Sequence, residues 1–146
     1  MTMRIGLVGC AKSKLPHRSK AEELYSPSAM FRGRRAYVQR SCDRWFILSA
    51  EHGVLSPSDE LEPYDMTLVG QPIAVKRQWS RRVLKELREA VGDLTRATIE
   101  IHAGKDYWGY GLADSLRAAG ATVEIPTEGM PQGMQLRFYR DHGRPS

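Results

Sequence analysis

Ile5 to Gly9 is a short apolar run, IGLVG, and it stops abruptly at a polar stretch, CAKSK. An uninterrupted run of this kind predicts a strand over Arg4–Gly9 that is buried on both faces, as in the centre of a parallel sheet. Trp45–Ala50 (WFILSA) reads the same way. Ala97–His102 and Ala121–Ile125 add two more strands. Between strands the period becomes helical. Met30, Phe31, Tyr37, Val38 and Cys42 recur at helical spacing, so a helix is expected to about Cys42, with Ser26 or Ser28 as its N-cap. Arg32, Arg34, Arg35 and Arg40 are expected on its surface.

The longest helix is predicted over Pro72–Val91, with Trp79, Val83, Leu84, Leu87 and Val91 as core stripe and Gly92 at the C′ position. Lys76, Arg77, Arg81, Arg82, Lys85 and Arg88 are expected to cover much of the rest, as a solvated face rather than a nucleic-acid contact. A helix from about Tyr107 to Ala119, ended by Gly120, and a last stretch over Met134–Asp141 complete the pattern. The tail, Gly143–Ser146, is expected to fray. Strands alternating with helices predict an α/β fold. The expected form is a three-layer Rossmann-like domain, 1–146, with a four-stranded parallel sheet and right-handed crossovers. The acidic segment Val54–Leu68, with Pro57 and Pro63, reads as a loop, and loops of that length are uncommon unless functional.

Composition narrows the function classes. No apolar run approaches the roughly 20 residues that span a bilayer, so no membrane partner is expected. The opening apolar stretch is too short for a secretory leader. Two cysteines, Cys10 and Cys42, do not make a disulfide framework, which favours a reducing, cytoplasmic setting. His17, His52, His102 and His142 are scattered and no CxxC occurs, so neither a metal site nor a cofactor is expected. The net charge of +5 is uneven: residues 1–50 hold ten Lys/Arg against three acids, and residues 51–75 hold five acids and no Lys/Arg. A basic first third suits a phosphate-bearing partner, although a solvated face explains it equally well.

In a parallel sheet three loops converge at one edge: Gly9–Lys14, Ser49–Gly53 and Ala103–Tyr107. Ligands bind beyond such strand ends. In the first loop Lys12 and Lys14 can hold a phosphate or carboxylate as point charges, with Ser13 between them. Cys10 beside two ammonium groups has the setting of a lowered thiol pKa and a nucleophile; its alternative role is packing. In the second loop Glu51 or His52 can serve as acid or base. Adjacent in an extended backbone, they are expected to diverge rather than pair. Gly53 is expected to supply a positive φ. Tyr64 could stack on a base and Asp65 accept from it, or the pair could simply form a turn. Gly104 permits close approach of a ligand, and the helix start near Asp106 and Tyr107 offers amides to an anion, unless Asp106 simply caps the helix.

The segments GCAKSK, LYSPSAMF with its Arg-rich helix, LSAEHGVLSPSDELEPYDMTL and AGKDYWGYGL together resemble an uncharacterised family of small domains seen in bacteria and their phages. The LSAEHGVL…PYDMTL block is the most specific part. More distantly, the start resembles the amino-acid-transferring domain of archaeosine synthase, which acts on a 7-cyano-7-deazaguanine base in tRNA and is thought to share a fold with uracil-DNA glycosylases. On that resemblance Cys10, Lys14, Tyr25, Ser26 and Ser28 match its Cys, Lys and Tyr/Ser/His cluster. Gly9 stands where that family has Pro, and the Lys-to-Tyr spacing is longer. The resemblance implies a nucleobase or nucleotide pocket. The expectation is therefore an enzyme acting on a nucleotide, nucleoside or nucleic acid, by base modification or N-glycosidic-bond chemistry. Its rivals are a non-catalytic nucleic-acid-binding module, whose affinity falls steeply with salt, and a small-nucleotide sensor without turnover.

Overall fold

The apolar run that opens the chain is the middle strand of a five-stranded sheet in the computed structural model, which describes residues 3–142. The expected fraying of Gly143–Ser146 lies outside the described residues. The sheet contains β1 (Met3–Gly9), β3 (Arg44–Ser49), β4 (Gly53–Leu55), β6 (Ala97–His102) and β7 (Thr122–Glu124), in the order β4-β3-β1-β6-β7. β3, β1, β6 and β7 run parallel, as the apolar runs predict. The fifth strand, β4, corrects the expectation. It pairs antiparallel with β3 through a tight turn at Ala50–His52, where Gly53 adopts φ 72°. Three residues are too few for an alternation to register. A separate two-stranded clasp joins β2 (Ser19–Lys20) to β5 (Glu60–Leu61), the latter inside the acidic segment expected to be a loop.

Helices cover both faces of the sheet. On one face lie α1 (Ala21–Leu24), α2 (Ala29–Ser41) and α6 (Gln132–His142); on the other lie α3 (Ile73–Val91), α4 (Lys105–Trp108) and α5 (Leu112–Ala118). Strand alternation assigns side chains to the two layers. Ile5, Leu7, Phe46, Leu48, Ile99 and Ile101 meet Trp79, Val83, Leu87, Leu112 and Leu116. Val8 and Ile47 meet Leu24, Tyr25, Phe31 and Val38 on the opposite face. The helix expected over Tyr107–Ala119 is broken into α4 and α5 at Gly109–Gly111, where Gly111 has φ 123°. Lys76 is another correction. It is buried rather than surface-covering, and its ammonium pairs with Asp106 at 2.7 Å, tying α3 to α4. Asp106 therefore anchors α4 from the side, and its carboxylate does not cap the helix.

α2 and α6 pack so closely that a Cβ on Gly33 would stand 2.7 Å from the Tyr139 Cβ. This approach seats Tyr139 against the sheet. Beneath it, Glu100 and His102 occupy the same face of β6, as residues two apart on a strand must.

Candidate functional site

The strand order reverses between β1 and β6. From β1 the chain leaves toward α1 and α2; from β6 it leaves toward α4 and α5, across the sheet. A crevice opens at such a point beyond the strand ends. Here it is a cavity of about 700 Å³, in the size range of small-molecule sites. The Gly9–Lys14 loop forms one wall and Asp65–Thr67 with Val69 another. Arg34 and Phe31 of α2, Gly104 and Tyr107, and Gln132 and Gln135 of α6 close the remainder. Two of the three converging loops thus meet as expected.

Cys10 is held by its own backbone. Its N–H donates to the Leu48 carbonyl at 2.9 Å, extending the β1–β3 ladder one residue past the strand. Its Sγ lies 3.4 Å from the Tyr107 hydroxyl. Burial raises the Tyr107 pKa, with the Cys10 sulfur next in effect, so the phenol stays protonated near neutrality. Tyr107 is fixed in turn by the edge of Trp79, 5.4 Å between ring centres, whose Nε1–H donates to the Ser49 carbonyl at 2.9 Å. Burial pushes the thiol of Cys42, outside the cavity, up to about 11. Gly104 faces the opening, and a Cβ there would meet nothing within 4 Å.

Lys12 and Ser13 are exposed at the rim. Lys14 is more enclosed. Its Nζ donates to the Lys12 carbonyl at 3.3 Å and sits 4.6 Å from the Tyr64 ring centre, a cation–π contact. Among the described residues, Asp65 is the one carboxylate on the cavity wall. Ser28 lines the cavity too, but its Oγ accepts from the Phe31 N–H at 3.1 Å as the N-cap of α2. Ser28→Ala is expected to lower stability by about 1 kcal/mol in urea unfolding, the usual cost of losing a cap.

Five of the expected site residues stand outside the cavity: Tyr25, Ser26, Glu51, His52 and Tyr64. Tyr25 is fully buried, which bars it from direct ligand contact. Its hydroxyl lies 2.6 Å from that of Tyr64, which lies 2.7 Å from Ser49 Oγ; Ser49 Oγ also accepts from the His52 N–H at 3.0 Å. Desolvation raises both phenol pKa values. Lys14 sits over the Tyr64 ring, and the His52 ring stands nearly perpendicular to it, 5.2 Å between centres, so both compete with a base for that ring. Glu51 and His52 lie at the cavity end of the sheet, but on the β3–β4 turn. That turn brings them together, with His52 Nε2 3.5 Å from Glu51 Oε2, where an extended backbone would have parted them. The Ser26 carbonyl accepts from Arg32 at 2.6 Å, and Arg35 donates to the Glu22 carbonyl at 2.7 Å. Part of the basic surplus is thus used to hold the segment before α2.

Arg34 is the residue that the sequence reading misplaces most. Expected on the surface, it is 8% exposed and reaches the cavity. Its spacing from Phe31 and Val38, three and four residues, puts it on the buried stripe of α2. One terminal nitrogen donates to Gln135 Oε1 at 3.0 Å; Nε is buried without a partner. Behind it runs a buried polar chain. Arg4 donates to Glu100 at 2.6 Å, Glu100 Oε1 lies 2.9 Å from His102 Nε2, and His102 Nδ1 lies 2.8 Å from the Tyr139 hydroxyl. Burial alone would raise the Glu100 pKa, but hydrogen bonds from His102 and Arg4 hold it down to about 2. With Glu100 ionised, His102 donates through Nε2 and accepts the Tyr139 O–H at Nδ1.

These features define a layered α/β protein with a thiol-bearing, cation-lined cavity at the switch point of its sheet. Residues 5–141 match a family of unknown function (DUF6884), and the chain belongs to it. No curated protein and no solved structure matches the chain. No helix among the described residues is long and apolar enough to cross a membrane, and no cluster of three or more metal-ligating side chains occurs among them.

Proposed function

We propose that this protein is an enzyme that modifies a nucleobase, taken either as a free nucleotide or within nucleic acid, with Cys10 as its nucleophile. The observation that carries the reading is the placement of the Cys10 sulfur. It is fixed at the end of the central strand, inside the cavity, 3.4 Å from a protonated Tyr107 hydroxyl. The Cys10 thiol adds across a carbon–nitrogen multiple bond of the base, in its ring or in a nitrile: the S–C bond forms as the carbon–nitrogen π bond opens, the thiol proton passes to the Tyr107 oxygen, and the Tyr107 proton passes to the nitrogen. Lys12 and Lys14 at the rim attract the phosphate. The distant resemblance to the archaeosine synthase domain favours a deazapurine among the candidate bases.

The test is a thermal-shift screen of nucleotides, nucleosides and deazapurines. A binder at a hundredfold excess over Kd stabilises the fold by about 2.7 kcal/mol. Lys12→Ala/Lys14→Ala is expected to weaken binding of the best nucleotide by tenfold or more at a loss of stability of about 1 kcal/mol or less, because Lys12 is exposed and Lys14 gives up little beyond its cation–π contact with Tyr64. No stabilisation by any member of the panel counts against the reading.

A further inference from the structure

We infer that the cavity floor is a seat for a phosphate monoester, built around Arg34 rather than around the lysines at the rim. The inference deepens the proposed function and rests on its reading of the cavity as the substrate site.

Arg34 is more than nine-tenths buried, yet among the described residues no carboxylate forms an ion pair with it. The nearest buried carboxylate, Glu100, is already paired with Arg4 and hydrogen-bonded by His102. The acidic groups that bear on Arg34 are weak ones: Tyr139, Cys10 and Tyr107. Burial accordingly pushes its pKa down. A buried guanidinium with a partnerless Nε and neutral neighbours is costly, and buried charges are ordinarily paired. The missing counter-charge belongs in the cavity that Arg34 lines.

Charge balance indicates its type. Lys12, Lys14 and Arg34 face Asp65 alone, leaving two positive charges uncompensated. A phosphate monoester carries about −1.5 to −2 at neutral pH and accepts a guanidinium fork, whereas a single carboxylate neutralises half as much. Gln135 holds the guanidinium from one side. Gly9 lies beside it, with one terminal nitrogen 3.7 Å from where a Cβ would stand. The seat is therefore adjacent to Cys10, and it sets which end of a nucleotide enters first.

The experiment compares wild type, Arg34→Met and Arg34→Lys in thermal shift and calorimetry. The probes are inorganic phosphate, a 5′-mononucleotide, the matching nucleoside, ribose 5-phosphate and acetate. Phosphate and the monoesters should raise the wild-type midpoint in a dose-dependent way, with acetate much weaker. Arg34→Met should weaken monoester binding at least a hundredfold and, without added phosphate, unfold at a higher temperature than wild type, because it removes an unpaired buried charge. Where Arg34→Met fails to fold, Arg34→Lys decides: it keeps the charge but loses the fork, and binding should fall at least tenfold. Monoester affinity within threefold of wild type in the folded variant overturns the inference. So does a wild type that responds to nucleosides but to no phosphate; that result would leave the nucleobase reading standing. A response to ribose 5-phosphate equal to the nucleotide's, lost in Arg34→Met, upholds the seat and counts against the nucleobase.

Discussion

Replacing Cys10 with Ser should abolish turnover while leaving the fold intact. The sulfur is half-buried and packs between the two core layers, and serine keeps nearly the same volume and a hydrogen-bonding atom opposite Tyr107. The expected loss of stability is about 1 kcal/mol or less, since no cavity opens. The expected loss of rate is roughly 10³-fold or more, the scale on which removal of a nucleophile acts. Once the screen supplies a substrate, single-turnover kinetics measure the rate and urea unfolding measures the fold. A supporting reading comes from iodoacetamide: Cys10 should label ahead of Cys42, whose thiol is pushed up to about 11 by burial. A Cys10→Ser variant that turns over at the wild-type rate reduces Cys10 to packing.

The second large effect concerns Glu100. Its carboxylate is shared by Arg4, His102 and Ser41 Oγ, and its side chain is 4% exposed. Glu100→Ala removes the acceptor that Arg4 and His102 share. Arg4 is half-exposed and keeps Glu124, so the main loss is the buried His102 N–H left without an acceptor, which costs about 1–3 kcal/mol. The same network makes stability depend on pH. The folded pKa of His102 is lowered from 6.5 by burial, and that of Glu100 from 4.5 to about 2. Both groups bind protons more readily in the unfolded chain, so their contribution is fully present above about pH 6.5 and declines as the pH falls. His102 accounts for the first part of the decline. Glu100 accounts for the second, between about 4.5 and 2. Urea midpoints from pH 8 to 3 test the sign, and His102→Gln should remove the upper limb. A stability that rises on acidification from pH 7 to 5 contradicts the assignment.

The two periods in the sequence locate the four parallel strands and helices α2, α3 and α6 closely, because a run such as IGLVG has only one comfortable position in a layered sheet. What escaped was tertiary. β4 is too short for its pattern to show, and the β3–β4 turn carries His52 and Glu51 away from the cavity wall. Tyr64 has the composition of a stacking residue, but its hydroxyl is engaged by Ser49 and Tyr25 and its ring by Lys14 and His52. An arginine among arginines reads as surface. Only the arrival of α6, about a hundred residues later, buries Arg34. One signal did lie in the pattern: Glu100 and His102, two apart on a strand, share a face that is buried if the strand is central.

The position of β1 also bears on how the chain reaches this state. Ile5 lies between Arg44 on one side and Ile99 on the other. Neither edge of the central strand is satisfied by a neighbour close in the chain, so loop closure must be paid before the sheet gains anything from it. Such connectivity lengthens the interval before the sheet forms, relative to a helical bundle built from local contacts. During that interval the IGLV segment is exposed with both edges unpaired, and association between chains competes with β6 for it. Refolding yield should therefore fall with protein concentration, and should recover when β6 is helped to dock first.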